Sequence, residues 1–149
     1  LTNKQKMLFN NARKILRDQL SLLSTGPDRF GLIHSDLHLG NIMRNNDDLT
    51  IIDFDDAGYG WFAHEAAVAL HPSLGEPWFP SAREAFLDGY CSIHEMDNDE
   101  MNSINAFLVV RSLMIVGWLN ARPELPAYEY FPVVIEAAEK AVENLVLDS

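Results

Sequence analysis

The sequence predicts a mainly α protein with one small β-hairpin, and three observations lead there. Apolar residues recur at helical spacing over most of the 149 residues. Apolar runs of strand length are confined to residues 31–52. Between two of those runs stands Asn45-Asn46-Asp47-Asp48, a turn sequence because Asn and Asp tolerate positive φ. With 48% hydrophobic and 22% charged residues, this length suits a single domain with a proper core.

The elements follow in order. Leu8, Ala12, Ile15, Leu16, Leu20 and Leu23 form one stripe, so residues 4–23 read as a helix, ended by Thr25-Gly26-Pro27-Asp28. Gly31–Ile33, Ile42–Arg44 and Leu49–Ile52 are the strand candidates. Gly58-Tyr59-Gly60-Trp61 reads as a loop and Phe62–Leu70 as a short helix stopped by His71-Pro72. After an irregular Pro/Gly stretch, Ser81 is the expected N-cap of a helix to about His94. Asp99 is the expected cap of the next helix, which reaches roughly Asn120 and is apolar on nearly all faces. A last helix, Glu129 to Val146, is expected to bury Val134, Ala137, Ala138, Ala141, Val142 and Leu145.

Composition narrows the partners. Net charge is −11, with a local +4 over residues 1–33 and a local −5 over residues 34–58. Duplex DNA and anionic membranes need clustered basic surface, so no nucleic acid and no membrane partner is expected. The apolar run Ile104–Leu119 is sixteen residues and contains Arg111, too short to span a bilayer. The polar, basic start around Lys4 and Lys6 does not read as a signal peptide. Cys91 stands alone, which fits a reduced thiol and a cytoplasmic location.

The chemistry concentrates in His34-Ser35-Asp36-Leu37-His38-Leu39-Gly40-Asn41, followed by Asp53-Phe54-Asp55-Asp56. A phosphoryl acceptor hydroxyl needs a carboxylate to orient it and take its proton. A nucleotide triphosphate needs Mg²⁺, which prefers one or two protein oxygens plus water and phosphate. Asp36, Asn41 and Asp53 fit those roles: one loop places a base and an amide oxygen, and a hairpin returns Asp53 to the same edge.

The pattern His34-Ser35-Asp36-x-His38-x-x-Asn41, then apolar-apolar-Asp53-Phe54-Asp55, resembles the catalytic and metal-binding loops of the aminoglycoside phosphotransferase family, which includes choline kinases. The resemblance implies the C-terminal lobe of a protein kinase-like α+β fold over residues 1–149. It also implies Asp36 as catalytic base, with Asn41 and Asp53 holding Mg²⁺ on ATP as co-substrate. The first loop is similar to the His-Arg-Asp…Asn loop of protein kinases, and Asp53 to the aspartate of Asp-Phe-Gly. The implied acceptor is a hydroxyl of a small molecule: an aminoglycoside, choline, homoserine or similar. The acidic loops favour a cationic one.

Three departures from the family accompany this. Ser35 replaces a common glycine, and Glu65 stands where an aspartate braces the catalytic loop. The N-terminal nucleotide-gripping lobe, with its lysine, is absent, and Leu1 in place of methionine reads as a cut from a longer chain. This chain alone is therefore expected to be inactive, and its uncovered apolar surface makes a homodimer an open alternative. Two other functions stay open: a metal-dependent hydrolase using His34, Asp36 and His38, and a non-catalytic scaffold lobe. Asp55 and Asp56 read as loop-bracing or metal-contacting, His34 as a packed structural histidine, and Trp78-Phe79 as a lid or pocket wall.

Overall fold

A computed structural model of the chain describes residues 1–46 and 48–147. The elements are α1 (Asn3–Leu20), β1 (Phe30–Ile33), β2 (Ile42–Asn45), β3 (Asp48–Ile51), β4 (Gly58–Trp61), α2 (Phe62–Leu70), α3 (Phe79–Cys91), α4 (Asn98–Asn120) and α5 (Phe131–Leu147). The architecture is mainly helical with short antiparallel strands, as expected. The chain divides into two compact units, Leu1–Leu23 with Leu108–Ser149, and Ser24–Phe107.

In the first unit, α1 packs on α5. A capping box starts α1: Thr2 Oγ1 accepts from the Gln5 N–H at 3.2 Å, and the Thr2 N–H donates to Gln5 Oε1 at 2.8 Å. The helix buries Phe9, Ala12 and Leu16 and stops at Leu20, three residues before the predicted end. There Ser21 Oγ donates to the Asp18 carbonyl at 2.8 Å, competing with the backbone ladder. The α5 stripe is Phe131, Ile135, Ala138 and Val142, so Ala137, expected inside, is exposed. The predicted start at Glu129 falls in a 3-10 turn, Pro126–Tyr130, and Pro132 sits in the first helical turn where its missing N–H costs nothing.

The Ser24–Phe107 unit holds both sheets. In one, β2 and β3 form the predicted hairpin, pairing Ile42 with Ile51 and Asn45 with Asp48. Asn46 in its turn has φ 55°, while Asp47 lies outside the described residues. The other sheet corrects the sequence expectation: Gly58–Trp61 is a strand, β4, antiparallel to β1 with Gly31 opposite Gly60. Two glycines in four residues hide the strand from propensity. Gly60 has no room for a side chain, since a Cβ there would overlap Ile33 Cδ1, and a Cβ on the Gly31 opposite it would lie 2.9 Å from the Phe62 ring.

Two caps also move. The α3 helix begins at Phe79, with Pro80 in its first turn, and Ser81 Oγ instead donates to the Trp78 carbonyl at 2.8 Å. The cap of α4 is Asp97, whose Oδ1 accepts the Glu100 N–H at 2.9 Å, not Asp99. With its polar first turns α4 is 23 residues, long and apolar enough to cross a membrane by length and composition alone. Ile104, Phe107, Leu108, Val109, Val116 and Leu119 along it are buried inside the protein.

Candidate active site

The strand β1 ends in buried Ile33 and delivers His34 into the interior, 6% exposed. The next residue, Ser35, has φ 69°, a left-handed backbone that disfavours any side chain. What holds it is Glu65 in the first turn of α2. Glu65 Oε1 accepts the His34 N–H at 2.9 Å and Oε2 accepts the Ser35 N–H at 2.9 Å. Two bonds to one carboxylate outweigh a left-handed serine, because charge-assisted bonds are about twice as strong as neutral ones. The glutamate therefore fills the bracing role.

His34 joins the two motif loops. Its Nε2 lies 2.8 Å from the Ile52 carbonyl, and its Nδ1 faces the Asp36 N–H at 3.3 Å. That network assigns the Nε2–H tautomer. The ring stands 4.7 Å from Phe54, and the structural role expected for His34 holds.

Asp36 and Asn41 meet directly. The Asn41 Nδ2 donates to the Asp36 carbonyl at 3.0 Å and approaches Asp36 Oδ2 at 3.4 Å. The intervening backbone closes on itself, with His38 N–H on Asp36 O at 3.0 Å and Asn41 N–H on His38 O at 2.9 Å. His38 Nδ1 accepts the Gly40 N–H at 3.0 Å, and its Nε2 lies 3.6 Å from Asp36 Oδ2. Asn41 is buried and the Asp36 side chain is 25% exposed, so the carboxylate reaches solvent while its partner is clamped.

Asp53 enters through the backbone: the Ile52 N–H donates to the Asn41 carbonyl at 3.0 Å. Asp53 itself is exposed, with φ 66°, a conformation that Asp visits more readily than most residues. The structure thus gathers Asp36 and Asn41 side by side and ties Asp53 to them by one backbone bond. Asp55 and Asp56 are exposed in the turn that follows.

The donor set suits a hard cation. Asn41 turns its Nδ2 to Asp36, so its remaining side-chain donor atom is Oδ1, an oxygen of the kind a hard cation takes, as is the Asp53 carboxylate. Among the described residues, no three His, Cys, Asp or Glu side chains gather as a metal cage. Sequence reasoning missed the Ile52 backbone, which bonds to both His34 and Asn41. No side-chain signal exists for a role played by a carbonyl and an N–H.

Residues 5–102 match the model of the phosphotransferase enzyme family. This chain belongs to that family. It is similar to amicoumacin kinase of Bacillus subtilis (strain 168), with 33% identity over 125 residues, 78% of this chain and 37% of the relative. A microcompartment-associated aminopropanol kinase superposes with a TM-score of 0.80 at 27% identity, over 95% of this chain and 44% of that one. The amicoumacin kinase hAmiN, solved in complex with AMP-PNP, Ca²⁺ and Ami, gives 0.75 at 26%, over 94% of this chain and 46% of that one. The chain has the kinase-like fold of these relatives and spans less than half of their length.

Proposed function

We propose that this chain is the C-terminal lobe of an ATP-dependent kinase that phosphorylates a hydroxyl of a small molecule. The observation that carries the reading is the clamp joining Asp36, Asn41 and, through Ile52, Asp53. Asp36 orients the acceptor hydroxyl and takes its proton as the oxygen bonds to the γ-phosphorus and the bond to the β-phosphate oxygen breaks, releasing ADP. Asn41 Oδ1 and the Asp53 carboxylate hold Mg²⁺, which when bound neutralises charge on the phosphates. Asn41 also fixes the Asp36 backbone so that the base stays aimed.

The local −5 charge over residues 34–58 supports a cationic acceptor such as an amino alcohol. A nucleotide-holding lobe completes the site. Supporting it, Leu39, Met43, Leu49, Ile51 and Phe54 on and beside the hairpin are exposed, an apolar face of the kind another surface covers. ATP as co-substrate and a lone thiol fit the cytoplasm. Hydrolysis through a His34–Asp36–His38 metal site is disfavoured, because a metal on His34 would break its bond to Ile52 or to Asp36.

The test is phosphate transfer from ATP to 1-amino-2-propanol and related amino alcohols. The isolated chain is expected to give negligible turnover, and a longer polypeptide with a nucleotide-holding lobe robust turnover. In that longer protein Asp36→Asn should lower kcat by about 10²–10⁴-fold with nucleotide binding retained. Undiminished turnover in the variant removes Asp36 from the base role. Zn²⁺ bound by His34 and His38 in the purified chain would sink the kinase reading.

A further inference from the structure

Away from the motif loops, Glu100 is a buried acid that the phosphotransfer reading does not use. Its side chain is buried at the start of α4, 5% exposed, and its Oε1 has no hydrogen-bond partner among the described residues. A buried polar atom without a partner is costly, and far more so when charged.

Most polar groups around it have partners of their own, although the buried Arg83 Nε has none among the described residues. Ahead of β1, Arg29 pairs with Asp97 and lies 3.8 Å from Asp28. Beyond the end of α3, His94 Nε2 lies 3.1 Å from the Asp28 carbonyl, and its ring stands edge-on to Phe62 and Tyr90. From α3, Arg83 Nη2 reaches the Met101 carbonyl at 3.3 Å. Burial pushes the Glu100 carboxyl above the ordinary glutamate range; His94 and Arg29 pull it down and Asp28 pushes it up. The Tyr90 hydroxyl is raised as well, by burial first and then by the charges of Glu100, Cys91 and Glu65. Hydrogen bonds lead from Glu100 toward the clamp: its N–H donates to Asp97 Oδ1 at 2.9 Å, Asp97 pairs with Arg29, and the Arg29 carbonyl accepts the Phe62 N–H at 2.9 Å at the start of α2, whose first turn carries Glu65.

We propose that Glu100 is a proton-linked latch: the Ser24–Phe107 unit, and with it the backbone clamp on the His34–Asn41 loop, is tightest when the Glu100 carboxyl keeps its proton. Ionisation releases that proton to solvent and leaves a buried charge whose Oε1 is unanswered. For an acid held above its unfolded value, the stabilisation is fully present below the unfolded pKa. It is lost as pH rises through the folded one. That sign is opposite to Glu136, whose carboxyl is lowered by its bond to Lys140. The proposal stands whether or not the lobe transfers phosphate.

Urea unfolding of the full chain between pH 4 and 8 tests it, with Glu100→Gln and His94→Gln beside the wild type. Glu100→Gln should unfold at higher urea than wild type at neutral pH, with the gap closing in acid. His94→Gln, which removes a group that pulls the Glu100 carboxyl down, should keep a pH dependence of the same sign as wild type. Amide-exchange protection at His34 and Ser35, corrected for intrinsic rates, should fall several-fold with rising pH in the wild type and stay flat in Glu100→Gln. Parallel curves for wild type and Glu100→Gln overturn the proposal, as does a slope abolished by His94→Gln but kept by Glu100→Gln. Should Glu100→Gln not fold, a ¹³C titration of the Glu100 carboxyl in the wild type decides. A midpoint above the ordinary glutamate range supports the latch, and one within or below it overturns it.

Discussion

Replacing Glu65 with alanine removes the acceptors of the His34 and Ser35 N–H groups, both at 2.9 Å. Hydrogen bonds to a charged group contribute about 1.5–3 kcal/mol each. Two would sum to about 3–6 kcal/mol, but Ser35 is only partly buried and water can replace its partner in part. The expected loss is about 2–4 kcal/mol, a large share of the 5–15 kcal/mol that is typical of a domain. Glu65→Gln keeps one carbonyl acceptor and turns an NH₂ toward the other N–H, so it should lose roughly half as much. Glu65→Asp withdraws the carboxylate by one methylene and should lengthen both bonds. Urea unfolding of the full chain measures the loss, and amide exchange at His34 and Ser35 locates it. If Glu65→Ala lies within about 0.5 kcal/mol of wild type with both amides still protected, the carboxylate does not hold the loop.

Other expectations are simpler. Ser35→Gly relieves a left-handed backbone costing about 1–2 kcal/mol, offset by about 0.5–1 kcal/mol of glycine entropy. It should therefore leave the urea midpoint equal to or slightly above wild type, and a clear drop would deny the strain. Gly60→Ala drives a methyl into Ile33 at the β1–β4 pair and should destabilise by about 1–3 kcal/mol, read from the thermal midpoint. Ile104→Ala empties a fully buried site and should cost about 2–5 kcal/mol in chemical denaturation.

Much of the helical frame was legible, because periodic apolar residues report a buried face directly. Phe62–Leu70 came out at its predicted bounds, since His71-Pro72 is a strong stop. Strand β4 did not, because Gly60 answers to the Ile33 side chain of β1, which lies far outside the local sequence pattern. The caps of α3 and α4 slipped by three and two residues: Trp78 precedes α3 without a side-chain cap, and Asp97 does what Asp99 was expected to do. Several polar residues near a helix start can each satisfy the first N–H groups, and only the path of the preceding chain chooses among them.

For the site, the residue types could be read directly from the chain: a carboxylate, an amide and a second carboxylate at spacings that two loops and a hairpin can bring together. Tertiary structure alone decided how they are held. Glu65, thirty residues beyond Ser35, supports a left-handed turn that local preference opposes. The Ile52 backbone links His34 to Asn41 and so brings Asp53 to the site. Composition and spacing specify which chemistry a chain can offer. Long-range hydrogen bonds through backbone groups, identical in every residue, leave no mark in the side-chain pattern and appear only once the chain has folded.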